Sequence, residues 1–91
     1  MLLYHETDWS NEASFRAVGF DGSYGIADSV NSFFYAEKQE DSAGRGKGLW
    51  VIVEVPEGSD VQQYLWPLLP TSYKIPNDVV NRWQRRYELW T

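Results

Sequence analysis

Residues 49–55, Leu49-Trp50-Val51-Ile52-Val53-Glu54-Val55, constrain the fold more than any other stretch. The run is rich in β-branched residues and stays apolar on both faces until Glu54, and a strand of that kind is stable only where both of its faces are covered. It is therefore expected as a central strand. The sequence Pro56-Glu57-Gly58-Ser59-Asp60 ends it sharply.

The chain has 91 residues, which suits one domain, 1–91. So short a chain buries only about 60–65% of its unfolded surface, so large side chains carry much of the packing. Five Trp, six Tyr and four Phe answer that need and also offer a surface for stacking or for a partner. With no Cys, disulfides, thiolate metal sites and a thiol nucleophile are excluded. No apolar run is long enough for a membrane span and no charged, then apolar, leader is present, so the expectation is a cytoplasmic protein that meets no membrane.

The net charge of −5 is uneven. Residues 1–44 carry eight acids against Arg16 and Lys38, net −6, whereas the remainder carries six bases against five acids, net +1. This balance argues against direct nucleic-acid binding through phosphates and leaves room for an acidic face that meets a protein partner.

At the N-terminus, Leu2-Leu3-Tyr4-His5-Glu6-Thr7 reads as a short buried strand that sets an edge for the remaining pieces and delivers the only histidine. Residues 10–19 read as a short helix, with Ser10 as N-cap, Glu12 in the first turn, Phe15 and Val18 on the apolar side and Gly19 as the stop. Residues 24–27 read as a strand, and Ser29 caps an expected helix from Val30 to about Lys38, whose inner face is Val30, Phe33, Phe34 and Glu37. Glu37 to Lys47 reads as a surface loop. Its Gly44-Arg45-Gly46-Lys47-Gly48 lacks the Ser/Thr and the following helix of a phosphate loop.

Residues 61–66 read as short helical or extended chain. Residues 71–75 read as an edge strand that stops at Pro76. Asn77 is expected to cap a C-terminal helix over 77–90, an addition to the rest, with Val79, Val80, Trp83, Tyr87 and Trp90 on one face and Arg82, Arg85 and Arg86 away from it. The fold class is thus α+β: a small, mostly antiparallel sheet of four or five strands with two or three short helices. No metal-ligand spacing and no G-x-S-x-G elbow occurs.

Taken in order, Leu3-Tyr4-His5-Glu6-Thr7, a helix ending Gly19-Phe20, then Gly22-Ser23-Tyr24-Gly25-Ile26-Ala27-Asp28-Ser29, an aromatic helix ending Tyr35-Ala36-Glu37, the strand 48–56 and Tyr73-Lys74-Ile75-Pro76 resemble the small ADP-ribosyltransferase-like proteins of the H-Y-E type. The resemblance spans about 75 residues. It implies a reduced transferase-like sheet with NAD as cofactor: His5 on a ribose hydroxyl, Thr7 beside it, Tyr24 stacked on the nicotinamide and Tyr35 as a further wall. The family's catalytic glutamate precedes the Tyr-x-Ile-Pro segment, and here that position is Ser72. A serine cannot carry the negative charge that stabilises an oxocarbenium-like state. Either Glu54 or Glu57 serves instead, or nucleotide binding survives without transfer, or the fold alone survives.

Three functions follow from that resemblance. The favoured one is a non-catalytic, small acidic protein that binds a macromolecular partner, by analogy with phage-type inhibitors of bacterial defence systems. The alternatives are an active NAD-dependent mono-ADP-ribosyltransferase with His5, Tyr24 and Glu54 as its catalytic set, and a binder of NAD or ADP-ribose-derived nucleotides.

Overall fold

The computed structural model describes residues 1–21, 30–38, 48–66 and 72–90. The expected strand at 24–27 with Tyr24, the Ser29 cap, most of the 37–47 loop and Thr71 lie outside the described residues.

The protein is α+β, built on one antiparallel sheet of five strands. In chain order these are β1 (Leu2–Asp8), β2 (Asn31–Tyr35), β3 (Gly48–Glu54), β4 (Ser72–Pro76) and β5 (Arg85–Trp90), and they lie side by side as β4-β2-β1-β3-β5. Two short helices accompany them, α1 (Glu12–Val18) and α2 (Asn77–Val80), with 3-10 turns at Trp9–Asn11 and Val61–Tyr64.

β3 is the interior strand that its composition demands, with every residue from Gly48 to Val53 buried. β4 is an edge strand ending at Pro76, as expected. β1 lies at the middle of the sheet between β2 and β3, not at an edge. Its pairing to β3 runs from Leu2 opposite Glu54 to Asp8 opposite Gly48.

Cross-strand partners share a face of a sheet, so the register sorts the side chains. Leu3, His5 and Thr7 share a face with Leu49, Val51 and Val53, and through the β3–β5 register with Arg85, Tyr87 and Leu89. Phe34, Tyr73 and Ile75 complete this near face, which packs on Phe15, Phe20, Val61 and Val80 to form the core. Tyr4, Tyr35, Trp50, Ile52, Glu54, Ser72, Arg86 and Glu88 lie on the far face.

Three expectations are corrected. The segment expected as a helix from Val30 to Lys38 contains β2, because its adjacent phenylalanines serve opposite faces. Phe34 is buried in the core while Phe33 stacks on Trp66 at 4.6 Å, which a strand achieves and a one-sided helix does not. The expected helix over 77–90 stops at Val80, turns through Asn81 and Gln84, and returns as β5 along β3. Without β5, the buried β3 would leave a row of backbone groups unpaired, and satisfying them outweighs the helical spacing of the aromatic residues. This segment is therefore an integral strand, not an addition.

The third correction concerns α1. Asp8, rather than Ser10, opens the helical segment: its Oδ1 accepts from the Ser10 N–H at 2.9 Å and the Ser10 hydroxyl at 2.7 Å. A 3-10 turn precedes α1 and moves the start back by two residues. Within α1 only Phe15 is buried, and Val18 is 56% exposed rather than core-facing. A seven-residue helix is not stable alone. Burial of Phe15, about 1.5–3 kcal/mol, is the main apolar term that fastens it.

Candidate functional site

β1 carries His5 on the face where α1 packs, and three phenyl rings surround it. Ring centroids lie at 5.7 Å for Phe15, 5.1 Å for Phe20 and 5.6 Å for Phe34. The backbone adds one more contact, since Nδ1 lies 2.8 Å from the carbonyl oxygen of Phe33 on β2, and the ring remains partly exposed. A carbonyl only accepts, so Nδ1 carries the proton and Nε2 holds the lone pair. Nε2 makes no hydrogen bond among the described residues.

Burial lowers the pKa of His5 from its ordinary 6.5, opposed by the Phe33 carbonyl and by the nearby carboxylate of Glu6. The imidazole is therefore neutral at pH 7. In that state it can accept one hydrogen bond, and it offers no positive charge to a phosphate.

Thr7 lies on the same face of β1, two residues on. Its hydroxyl accepts from the side-chain amide of Asn11 at 2.8 Å, which braces the turn into α1. Thr7 thus has a structural partner where the resemblance implies a nucleotide contact.

Tyr35 and Ser72 are brought together as direct cross-strand partners on the far face, and Tyr4 pairs with Tyr35 from the other side. Tyr35 reaches this place from a strand, not from the expected helix. Ser72 is 2% exposed, and its Oγ is the single buried side-chain polar atom without a hydrogen-bond partner among the described residues. Glu54 ends β3, exposed on the far face, in a shallow pocket of about 160 Å³ lined by Leu2, Ile52, Gln84, Arg85 and Arg86.

The sheet therefore divides the expected site. His5 and Thr7 face the helices, whereas Tyr35, Ser72 and Glu54 face the other way. Tyr24 lies outside the described residues. No cluster of three His, Cys, Asp or Glu side chains able to hold a metal exists among the described residues.

Two arrangements escape sequence reasoning. Asn81 clasps the backbone of Phe20 across 61 positions, and Tyr87 joins β5 to α1. The Tyr87 hydroxyl accepts from Arg85 Nε at 2.8 Å and donates to the Phe15 carbonyl at 3.2 Å, while the Arg16 guanidinium stands 4.3 Å over its ring. The one hint in the chain is a polar Asn directly after the apolar pair Val79-Val80.

No helix among the described residues is long and apolar enough to cross a membrane. Comparison of the chain with family models, with curated proteins and with solved structures found no match in any of the three.

Proposed function

We propose that this chain is a non-catalytic, ADP-ribosyltransferase-like acidic protein that acts by binding a macromolecular partner, in the manner of phage-type inhibitors of bacterial defence systems. The observation that supports this reading is the division of the candidate residues by the sheet. Transfer chemistry needs an imidazole and a carboxylate on one ligand. Here His5 packs against Phe15, Phe20 and Phe34 on one face, while Glu54 stands at a strand end on the other.

The partner such a chain suits is a basic protein. The surplus of acid in residues 1–44 steers a basic surface towards it, and rim charges of that kind act mainly on association rate and its salt dependence. The test is capture from a bacterial lysate at low and high salt, followed by rebinding of the purified partner, with labelled NAD added in parallel. Salt-sensitive binding of one partner without labelling is expected. Label transferred to a target, or no specific partner, overturns the reading.

A second reading, binding of an NAD-derived nucleotide, is favoured by one observation: His5 Nε2 has a lone pair that no described residue uses. Calorimetry with NAD and ADP-ribose separates the two. Saturable heat that disappears in His5→Phe, which keeps an aromatic ring at that position, would favour the nucleotide.

A further inference from the structure

Among the described residues β5 is the last strand of the sheet, and its backbone alternates in use. One residue before the strand, the Glu54 N–H donates to the Gln84 carbonyl at 2.9 Å. Antiparallel pairs alternate between bonded and non-bonded, so Arg86, Glu88 and Trp90 spend their backbone groups on β3. Arg85, Tyr87 and Leu89 then turn theirs towards the open edge. None of the described residues bonds to that edge.

An open edge is a template for another strand, and proteins usually guard it with charge. β5 carries three charges: Arg85 on the near face, and Arg86 and Glu88 on the far face, on either side of Tyr87. Three two-fold registers let the outward residues 85, 87 and 89 bond to the same residues of a copy. Centring on position 86 sets Arg86 opposite Arg86, and centring on 88 sets Glu88 opposite Glu88. Centring on Tyr87 sets Arg86 opposite Glu88 twice, pairs Tyr87 with itself and lays the exposed Leu89 beside Arg85. Like charges directly opposite destabilise a pair and opposite charges stabilise it, so the sequence selects the third register.

We propose that β5 is a self-complementary edge that pairs antiparallel with β5 of a second copy about Tyr87, joining two five-stranded sheets into one. Charges that repel a foreign strand at this edge match their own copies. The Lys38–Glu88 ion pair is exposed and uses only the Oε1 oxygen of the Glu88 carboxylate.

Sedimentation velocity over a concentration series tests this with the whole chain and two variants, R86E and E88R, each checked for fold by circular dichroism. The unmodified chain is expected to dimerise reversibly. Each variant alone sets like charges opposite one another and should associate at least about tenfold more weakly. Mixed in equal amounts, R86E and E88R regain the complementary pairs and should form a dimer. That recovery also shows that both variants fold. A monomer at every concentration overturns the proposal. So does a dimer that persists in both variants, or a mixture that stays monomeric.

Discussion

Asn81 holds the backbone of Phe20 in both directions: its Oδ1 accepts the Phe20 N–H and its Nδ2 donates to the Phe20 carbonyl, each at 2.8 Å. One side-chain amide thereby imitates a strand neighbour and places Phe20 over His5.

Gly19 makes the clasp accessible. Its φ of +71° with ψ of −146° is a conformation almost confined to glycine, and a Cβ there would lie 2.5 Å from Asn81 Oδ1. Gly19→Ala is expected to destabilise by about 1–3 kcal/mol from the backbone alone. Asn81→Ala should cost about 1–3 kcal/mol, since it leaves the Phe20 N–H and C=O without partners. The double variant should cost less than the sum, because both changes break one contact. Urea unfolding of the three variants measures this.

His5 predicts an acid-sensitive fold. Its folded pKa lies below 6.5, so as the pH falls through about 6.5 the unfolded chain takes up a proton that the folded chain refuses. The stability contributed is complete above that value, shrinks as the pH falls towards the folded pKa, and is gone below it. Asp8 acts in a separate, more acidic window, since bonds from Ser10 hold its carboxyl below the ordinary 3.8. In His5→Phe the slope of unfolding free energy between about pH 7 and pH 5.5 should flatten, whatever the absolute stability. An unchanged slope assigns the acid sensitivity elsewhere.

Ser72 is a buried hydroxyl with no hydrogen-bond partner among the described residues. Removing an unpaired buried polar atom recovers its desolvation cost, so Ser72→Ala should match or exceed the parent by up to about 1 kcal/mol in thermal unfolding. A clear loss would mean that the hydroxyl has a partner in solution.

Tyr87 fastens α1 to β5 through its hydroxyl and its ring. Tyr87→Phe keeps the ring under Arg16 and removes two hydrogen bonds, with an expected cost of about 1–2 kcal/mol. Hydrogen exchange should show the loss as faster opening of residues 12–18, with β3 little affected.

Composition and patterning were enough for the strands at β1, β3 and β4, because a stretch apolar on both faces, or one stopped by proline, has few other stable uses. Gly19 is legible as a helix stop for the same local reason. The segment 30–38 is not: Val30, Phe33, Phe34 and Glu37 fit a helical stripe, and a short aromatic run fits either period until its two covers are known. Of the candidate site, the sequence picks out His5 by its singularity. It contains nothing that tells which face of a sheet Glu54 or Tyr35 will occupy, since that depends on a register set between strands.

The sequence by itself determined an α+β chain with a doubly covered β3, an edge strand ended by Pro76 and one imidazole on the first strand, all consequences of local sterics and apolar burial. Only the tertiary structure decided that residues 85–90 leave their helical spacing to pair with β3, that His5 packs among three phenyl rings whose burial lowers its pKa, and that the sheet parts it from Glu54 and Ser72. The reason is that backbone pairing and burial are satisfied between distant segments, and no window of neighbouring residues contains both partners.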